Sequence, residues 1–271
     1  MREDRSSRKE TRKDPGAPRS GRVPGTHGSQ GVELADLFKQ ALGDISGGRV
    51  LDVATGEGGF VGLLARELKR YTAIVGIDLS QSAVETAQRS FEQANIRFVQ
   101  MDAECLAFRN ESFDTVNISA SLHHLANAPR VLGEMQRVLK PGGHLILSEM
   151  HRDGQAEPQL TAVYIHHWAA EVDTALGASH NQTFARQQIV DWVEALGWCD
   201  IVCYDFCDVN SDPMDKAFIH QVERYMERFI CRGEGLPSHK ALQQRGEELR
   251  RRLYHVGGQR EPVLIIVGTK P

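Results

Sequence analysis

The sequence predicts an α/β fold built on a mainly parallel sheet, and three observations carry that prediction. Between about residues 48 and 150, short β-branched runs alternate with segments of helical apolar spacing, the pattern of successive βαβ units. The first two strand-like runs end in acids and glycines, Asp52 to Gly58 and Gly76-Ile77-Asp78, where an open α/β sheet places its ligand-binding loops. The composition, 41% hydrophobic and 25% charged over 271 residues, is that of a globular protein with one large core or two small ones.

Residues 1–30 carry eight Lys/Arg and four Asp/Glu among Ser, Gly and Pro, with little to bury, and are expected to be a disordered, solvated basic tail. From Gly31 onward the composition becomes globular. Strands are expected at about 49–54, 73–78, 96–101, 113–118 and 142–149, with helices near 58–70, 82–94 and 127–139 between them. Lys140-Pro141-Gly142-Gly143 closes the last helix as a stop followed by a tight turn. After Glu149 the alternation ends. Residues 151–184 are rich in His and aromatics, 186–196 resume as an amphipathic helix and 199–206 as a strand. A helical stretch from about 214 to 253 carries the stripe Phe218, Val222, Tyr225, Met226 and Phe229, which could close a site or make a homodimer contact. Residues 262–269 read as a final buried strand.

Several classes are excluded at this stage. A formal charge of -4 gives no support to a nucleic-acid binder. Apolar runs such as Val263 to Val267 fall far short of the roughly 20 residues a membrane-spanning helix needs. The N-terminus shows no apolar signal segment, and five cysteines without a C-x-x-C pair suit reduced thiols in a cytoplasm. Cys199, Cys203 and Cys207 would lie on one face of a strand, the outer two roughly 26 Å apart, too far to clasp one thiophilic atom.

The chemistry is concentrated in Val50-Leu51-Asp52-Val53-Ala54-Thr55-Gly56-Glu57-Gly58-Gly59-Phe60 and in Ile77-Asp78 twenty residues after Gly58. Glycines at a strand-to-helix turn let backbone N–H groups approach a ligand, and an acid at the next strand end can hold two ribose hydroxyls. The dinucleotide fingerprint fails, because its third glycine position is Val61. Asp52 and Glu57 would also repel a pyrophosphate while favouring a ligand that carries ammonium and sulfonium charges.

With these residues in view, the sequence resembles the class I S-adenosylmethionine-dependent methyltransferases, in the small-molecule branch similar to the ubiquinone/menaquinone C-methyltransferases. The resemblance rests on the Asp52 to Gly58 loop, Gly76-Ile77-Asp78-Leu79-Ser80, Phe98-Val99-Gln100-Met101-Asp102-Ala103, Phe113-Asp114-Thr115-Val116 and Val138-Leu139-Lys140-Pro141-Gly142-Gly143. It implies a Rossmann-like seven-stranded sheet, mostly parallel with a reversed last strand at 262–269, plus a helical lid. It also implies one domain over 31–271 with substrate-cap insertions at 151–184 and 209–258, and S-adenosylmethionine as cofactor. Asp52, Ala54, Thr55, Gly56 and Gly58 would face the methionine part, Asp78 the ribose, and Leu79 the adenine ring. Asp102 would meet the adenine amino group, the Ala103 backbone a ring nitrogen, and Ser119-Ala120 would pass under the transferred methyl. Ala54 departs from the pattern, standing where the family often has its first glycine, which bears on affinity. The quinone branch's N-terminal substrate motif is not found among residues 31–48. Asn117-Ile118-Ser119-Ala120 also lacks the Asn/Asp-Pro-Pro-Tyr type sequence used on planar amines.

Methyl transfer to an acceptor that keeps its proton needs a base, and His123 and His124, directly after the fourth strand, are candidates, with His151 a third. Glu149, His151, Tyr164, His166, His167, Trp168 and His180 crowd into 32 residues. Of these, Tyr164, His167, Trp168 and His180 are expected to form a substrate-binding wall around a small organic acceptor. No His-x-x-x-His pair appears, so no metal site is expected. The expected function is transfer of a methyl group to an O, N, S or C nucleophile. The alternatives are an NAD(P)-dependent oxidoreductase and a non-catalytic S-adenosylmethionine-binding protein.

Overall fold

The computed structural model describes residues 27–28 and 33–271. The remaining residues of the expected tail, 1–26 and 29–30, lie outside the described set. In chain order the elements are β1 (His27–Gly28), α1 (Leu34–Leu42), β2 (Ser46–Val53), α2 (Gly59–Glu67), β3 (Arg70–Asp78), α3 (Gln81–Ser90) and β4 (Ile96–Gln100). They continue with β5 (Phe113–Ser119), α4 (Ala128–Val138), β6 (Leu139–Met150), α5 (Glu157–Ala175) and α6 (Arg186–Ala195). The chain closes with β7 (Cys199–Phe206), α7 (Lys216–Arg232), α8 (His239–Val256) and β8 (Val263–Thr269).

The strands form one sheet in the order β1-β7-β8-β6-β5-β2-β3-β4. All seven expected strands are present, and β8 runs antiparallel to both β6 and β7 while the other pairs are parallel. An eighth strand, β1, falls within the expected tail: His27 and Gly28 pair with Tyr204 and Asp205 at the edge of the sheet. An edge strand offers unpaired main-chain groups with which a further segment can pair.

The central strands read as continuous apolar runs because helices cover both of their faces. On one face Val53, Val116, Ile118 and Leu147 pack with Val131, Leu132 and Met135 of α4 and Ile189 and Val193 of α6. On the other, Val50, Ile74 and Ile146 meet Leu37 and Leu42 of α1, Val61 and Leu64 of α2, and Val84 of α3. Helix α1, unexpected from sequence, is nine residues long and has no side-chain cap at Glu33, so only its apolar face marks it. Lys140 to Gly143 is not a separate turn but a bulge in β6, where the register with β5 slips between Phe113 and Thr115.

A third core lies off the sheet. Ile165, Trp168, Ala169 and Val172 of α5 pack with Met226 and Phe229 of α7 and Leu242 of α8. The helical stretch expected over 214–253 is therefore two helices, and Met226 and Phe229 of its stripe are consumed inside this cap. Among the described residues no helix is long and apolar enough to cross a membrane.

Candidate functional site

The carboxyl ends of β2, β3, β4 and β5 lie side by side, joined by Thr55 N–H donating to Ile77 O at 2.8 Å and Met101 N–H to Asp78 O at 2.9 Å. The loop after β2 needs left-handed backbone at Ala54 (φ 53°), Gly56 (φ 54°) and Gly58 (φ 86°). Nothing lies within 4 Å of the position a Gly56 Cβ would take, so this turn borders open space. Asp78 accepts from Gly56 N–H at 2.8 Å through one carboxyl oxygen and from Ser80 N–H at 2.9 Å through the other. Leu79 beside it is 70% exposed, and Asp102 is exposed at the next strand end, accepting from Glu104 N–H at 2.8 Å. Ser119 is half-buried at the end of β5, and the Ser121 hydroxyl reaches Ala54 O at 3.2 Å, tying the two loops together.

Asp52 takes a different position from its expected one facing a ligand. It is 1% exposed, lies level with Asn117 on β5, and accepts from the Thr55 hydroxyl at 2.6 Å and from the Asn117 amide. Burial pushes its carboxyl up to about 6, against the lowering effect of those two donors and with a small further push from Asp78. These two contacts tie the loop after β2 to β5. Asn117 was not singled out in the sequence as a partner, and only the β2–β5 register reveals it.

The histidines assemble behind that crevice. A single 3₁₀ turn, Leu122–His124, follows β5, and Glu149 of β6 secures it, accepting from Leu122 N–H at 2.7 Å and from His123 Nδ1 at 2.9 Å. His166 of α5 lies 4.8 Å from His123 between ring centroids. His180, in the loop after α5, has its Nε2 3.3 Å from His166 Nε2 and its Nδ1 2.7 Å from Asp173, which in turn pairs with Arg232 of α7 at 2.6 Å. His123, His166 and His180 are buried, and burial followed by neighbouring imidazoles pulls His166 well below the usual imidazole range. His180 is lowered by burial more than Asp173 raises it. His124 is exposed, with its ring centroid 4.2 Å from those of both His123 and His180. The imidazoles converge from three separate segments, an arrangement that no His-x-x-x-His spacing would mark. Asp173, Arg232 and Glu261 nearby carried no local sequence signal.

The expected substrate wall does not form as one surface. Trp168 is fully buried in the cap core, its indole N–H donating to Leu242 O at 2.8 Å, so it is removed from the wall. Tyr164 and His167 instead line an outward cavity of about 370 Å³ between α5 and α8, with Arg252 over the Tyr164 ring at 5.3 Å. His167 Nε2 lies 2.9 Å from the Thr183 hydroxyl. His180 alone of the four belongs to the histidine cluster. His151 is also separate: buried beside Arg186 and Asp205, it accepts from Asp153 N–H at 3.3 Å and is lowered mainly by burial. Two cavities touch the cluster: one of about 270 Å³ between α5 and α7, with Ile165, His166, Phe218, Val222, Tyr225 and Glu261 in its walls, and one of about 360 Å³ bordered by Thr174 and His180.

Residues 51–147 match the methyltransferase domain family. The chain is 37% identical over 189 residues to phthiotriol/phenolphthiotriol dimycocerosates methyltransferase 1 of Mycobacterium ulcerans, covering 68% of this chain and 65% of that protein. It is 31% identical over 146 residues to 2-phytyl-1,4-naphtoquinone methyltransferase of Nostoc punctiforme, covering 51% and 63%. The chain thus spans less than two thirds of the length of these curated relatives. A crystal structure of a putative methyltransferase from Bacillus halodurans superposes with a TM-score of 0.58 at 19% identity, covering 88% of this chain and 98% of that one, which shows the shared fold. The sheet with its one reversed strand, the glycine loop facing Asp78 and the matched segment agree in their similarity to the class I S-adenosylmethionine-dependent methyltransferases.

Proposed function

We propose that this protein transfers a methyl group from S-adenosylmethionine to a small organic acceptor. The observation that carries the reading is the Asp78 cradle. Each carboxyl oxygen accepts one backbone N–H, leaving lone pairs on both for a pair of ribose hydroxyls. Leu79, exposed beside it, would cover one face of the adenine, and Asp102 would accept from the adenine amino group. Gly56, with open space at its α-carbon, would let the methionine end approach the loop. Asp52, Glu57, Asp78 and Asp102 make this edge acidic, which suits a cationic cofactor and disfavours a pyrophosphate. The cofactor supplies an electrophilic methyl on sulfonium; the protein's part is to hold it, exclude water and aim the acceptor.

The acceptor site is read as the 270 Å³ cavity between α5 and α7, whose walls combine Ile165, Phe218 and Val222 with the polar groups of His166, Gln221 and Glu261. Relatives named for lipid and quinone acceptors support an apolar acceptor of this kind. Of the three candidate bases, His123 has the supporting geometry: a carboxylate fixes its Nδ1 and turns its Nε2 toward the cluster. The five free thiols support a reducing, cytoplasmic setting.

Calorimetry with S-adenosylhomocysteine, with NADH as comparison, tests the cofactor reading. Binding of the former alone is expected, and Asp78→Asn should weaken it roughly 10–100-fold, the worth of hydrogen bonds to a charged acceptor. Binding of NADH in its place would favour the oxidoreductase. Cofactor binding without turnover on phenols, quinols, thiols and amines would favour a non-catalytic role.

A further inference from the structure

We propose that His123, His166 and His180 form a binding site for a divalent first-row transition ion of the zinc class, with one coordination position left open. The site goes beyond methyl transfer; an ion on His123 Nε2 would occupy the lone pair a base needs, so metal loading and the His123 base role exclude one another. One ring nitrogen from each of the three residues lies within 4.8 Å of the other two. Zinc held tetrahedrally at about 2.0–2.1 Å per nitrogen sets two ligand nitrogens about 3.3–3.4 Å apart. The Nε2 atoms of His166 and His180, 3.3 Å apart, already form that edge. The remaining edges need closure by at most about 1.4 Å, within reach of small ring rotations.

The second observation lies behind the rings. Glu149 holds His123 Nδ1 at 2.9 Å and Asp173 holds His180 Nδ1 at 2.7 Å. A carboxylate can only accept, so each Nδ1 carries the hydrogen and each Nε2 presents its lone pair. Metal-binding histidines are oriented by this type of outer carboxylate, which fixes both tautomer and ring direction. Both carboxylates are themselves braced, Glu149 by Leu122 and Met150 N–H groups and Asp173 by Arg232. An all-imidazole set suits zinc, iron, nickel or copper and offers little to magnesium or calcium. Three protein ligands with a vacant position is the arrangement of a reactive rather than a purely structural site. One of the three ligands, His166, also borders the cavity between α5 and α7 together with Glu261. The ion would also join two parts of the molecule, since His123 follows a sheet strand while His166 and His180 belong to the cap.

The test needs neither cofactor nor acceptor. The metal-free protein is titrated with cobalt(II), followed by its visible ligand-field absorption, and the cobalt is then displaced by zinc. One equivalent with intense, tetrahedral-type bands is expected. His180→Asn and His166→Gln should abolish the bands while circular dichroism and cooperative melting show a folded chain. Asp173→Asn should weaken binding roughly 10–100-fold, and His167→Ala, outside the set, should leave it unchanged. Folded wild-type protein that takes up no cobalt or zinc would overturn the proposal. So would uptake that survives the combined His166→Gln/His180→Asn change.

Discussion

Asp52 shows how one buried carboxyl can make a family motif pH-sensitive. Its proton affinity is raised by burial to about 6, above the unfolded value of 3.8, so its contribution to stability is fully present below pH 3.8 and is lost as pH rises through 6. Asparagine is nearly isosteric and can keep the Asn117 amide as donor to its carbonyl while its own amide donates to the Thr55 hydroxyl. Asp52→Asn should therefore stabilise the protein at pH 8 by up to about 3 kcal/mol and have little effect at pH 3.5. Urea titrations at the two pH values check this; equal effects at both would contradict it. At Ala54, φ of 53° holds a β-carbon where the left-handed conformation costs an L residue roughly 1–2 kcal/mol. Part of that is offset by the greater unfolded-state freedom of glycine, so Ala54→Gly should raise stability by about 0.5–1 kcal/mol, read as an increase in Tm.

At the level of elements, α5 is the piece around which the cap is built. Trp168 fills the space between α5, α7 and α8, with its ring against Gly246 and its N–H on Leu242 O. Trp168→Ala should cost about 3–5 kcal/mol, and hydrogen exchange should show α8 losing protection before the sheet does. The strands were legible in the sequence because central parallel strands are covered on both sides and so read as unbroken apolar runs. Helix α5 was not legible in the same way: it buries the polar Gln159, Thr161, His166 and Asp173 as well as Val163, Ile165, Trp168, Ala169 and Val172, so its apolar residues mark no single face. Aromatic density there suggested a ligand wall where part of it is core. The histidine cluster escaped for a related reason, since helix periodicity says nothing about which loop will arrive opposite His166.

For the whole molecule, the strands and their ligand-side loops were legible because strand-end acids and glycines are local signals, while the reversed last strand followed only from the resemblance those motifs carry. Edge pairing by β1 was not legible, since main-chain hydrogen bonds leave no trace in side-chain pattern. If the crevice binds its cofactor in the folded state only, S-adenosylhomocysteine at one hundred times its Kd should add about 2.7 kcal/mol and raise Tm by about 5–10 °C. NADH at the same concentration should leave Tm in place, and a reversed result in a thermal-shift assay would refute the cofactor reading.

The cap leaves the sheet twice: α5 departs after β6, and α7 with α8 after β7, yet Ile165, Trp168, Met226, Phe229 and Leu242 share one interior. Neither excursion is a self-sufficient module, because each supplies half of an apolar interface. Anyone wishing to re-target this scaffold by recombination with a relative would have to transplant both loops of chain as a matched pair. A single-segment graft would expose the complementary half and invite aggregation before its acceptor preference could be measured.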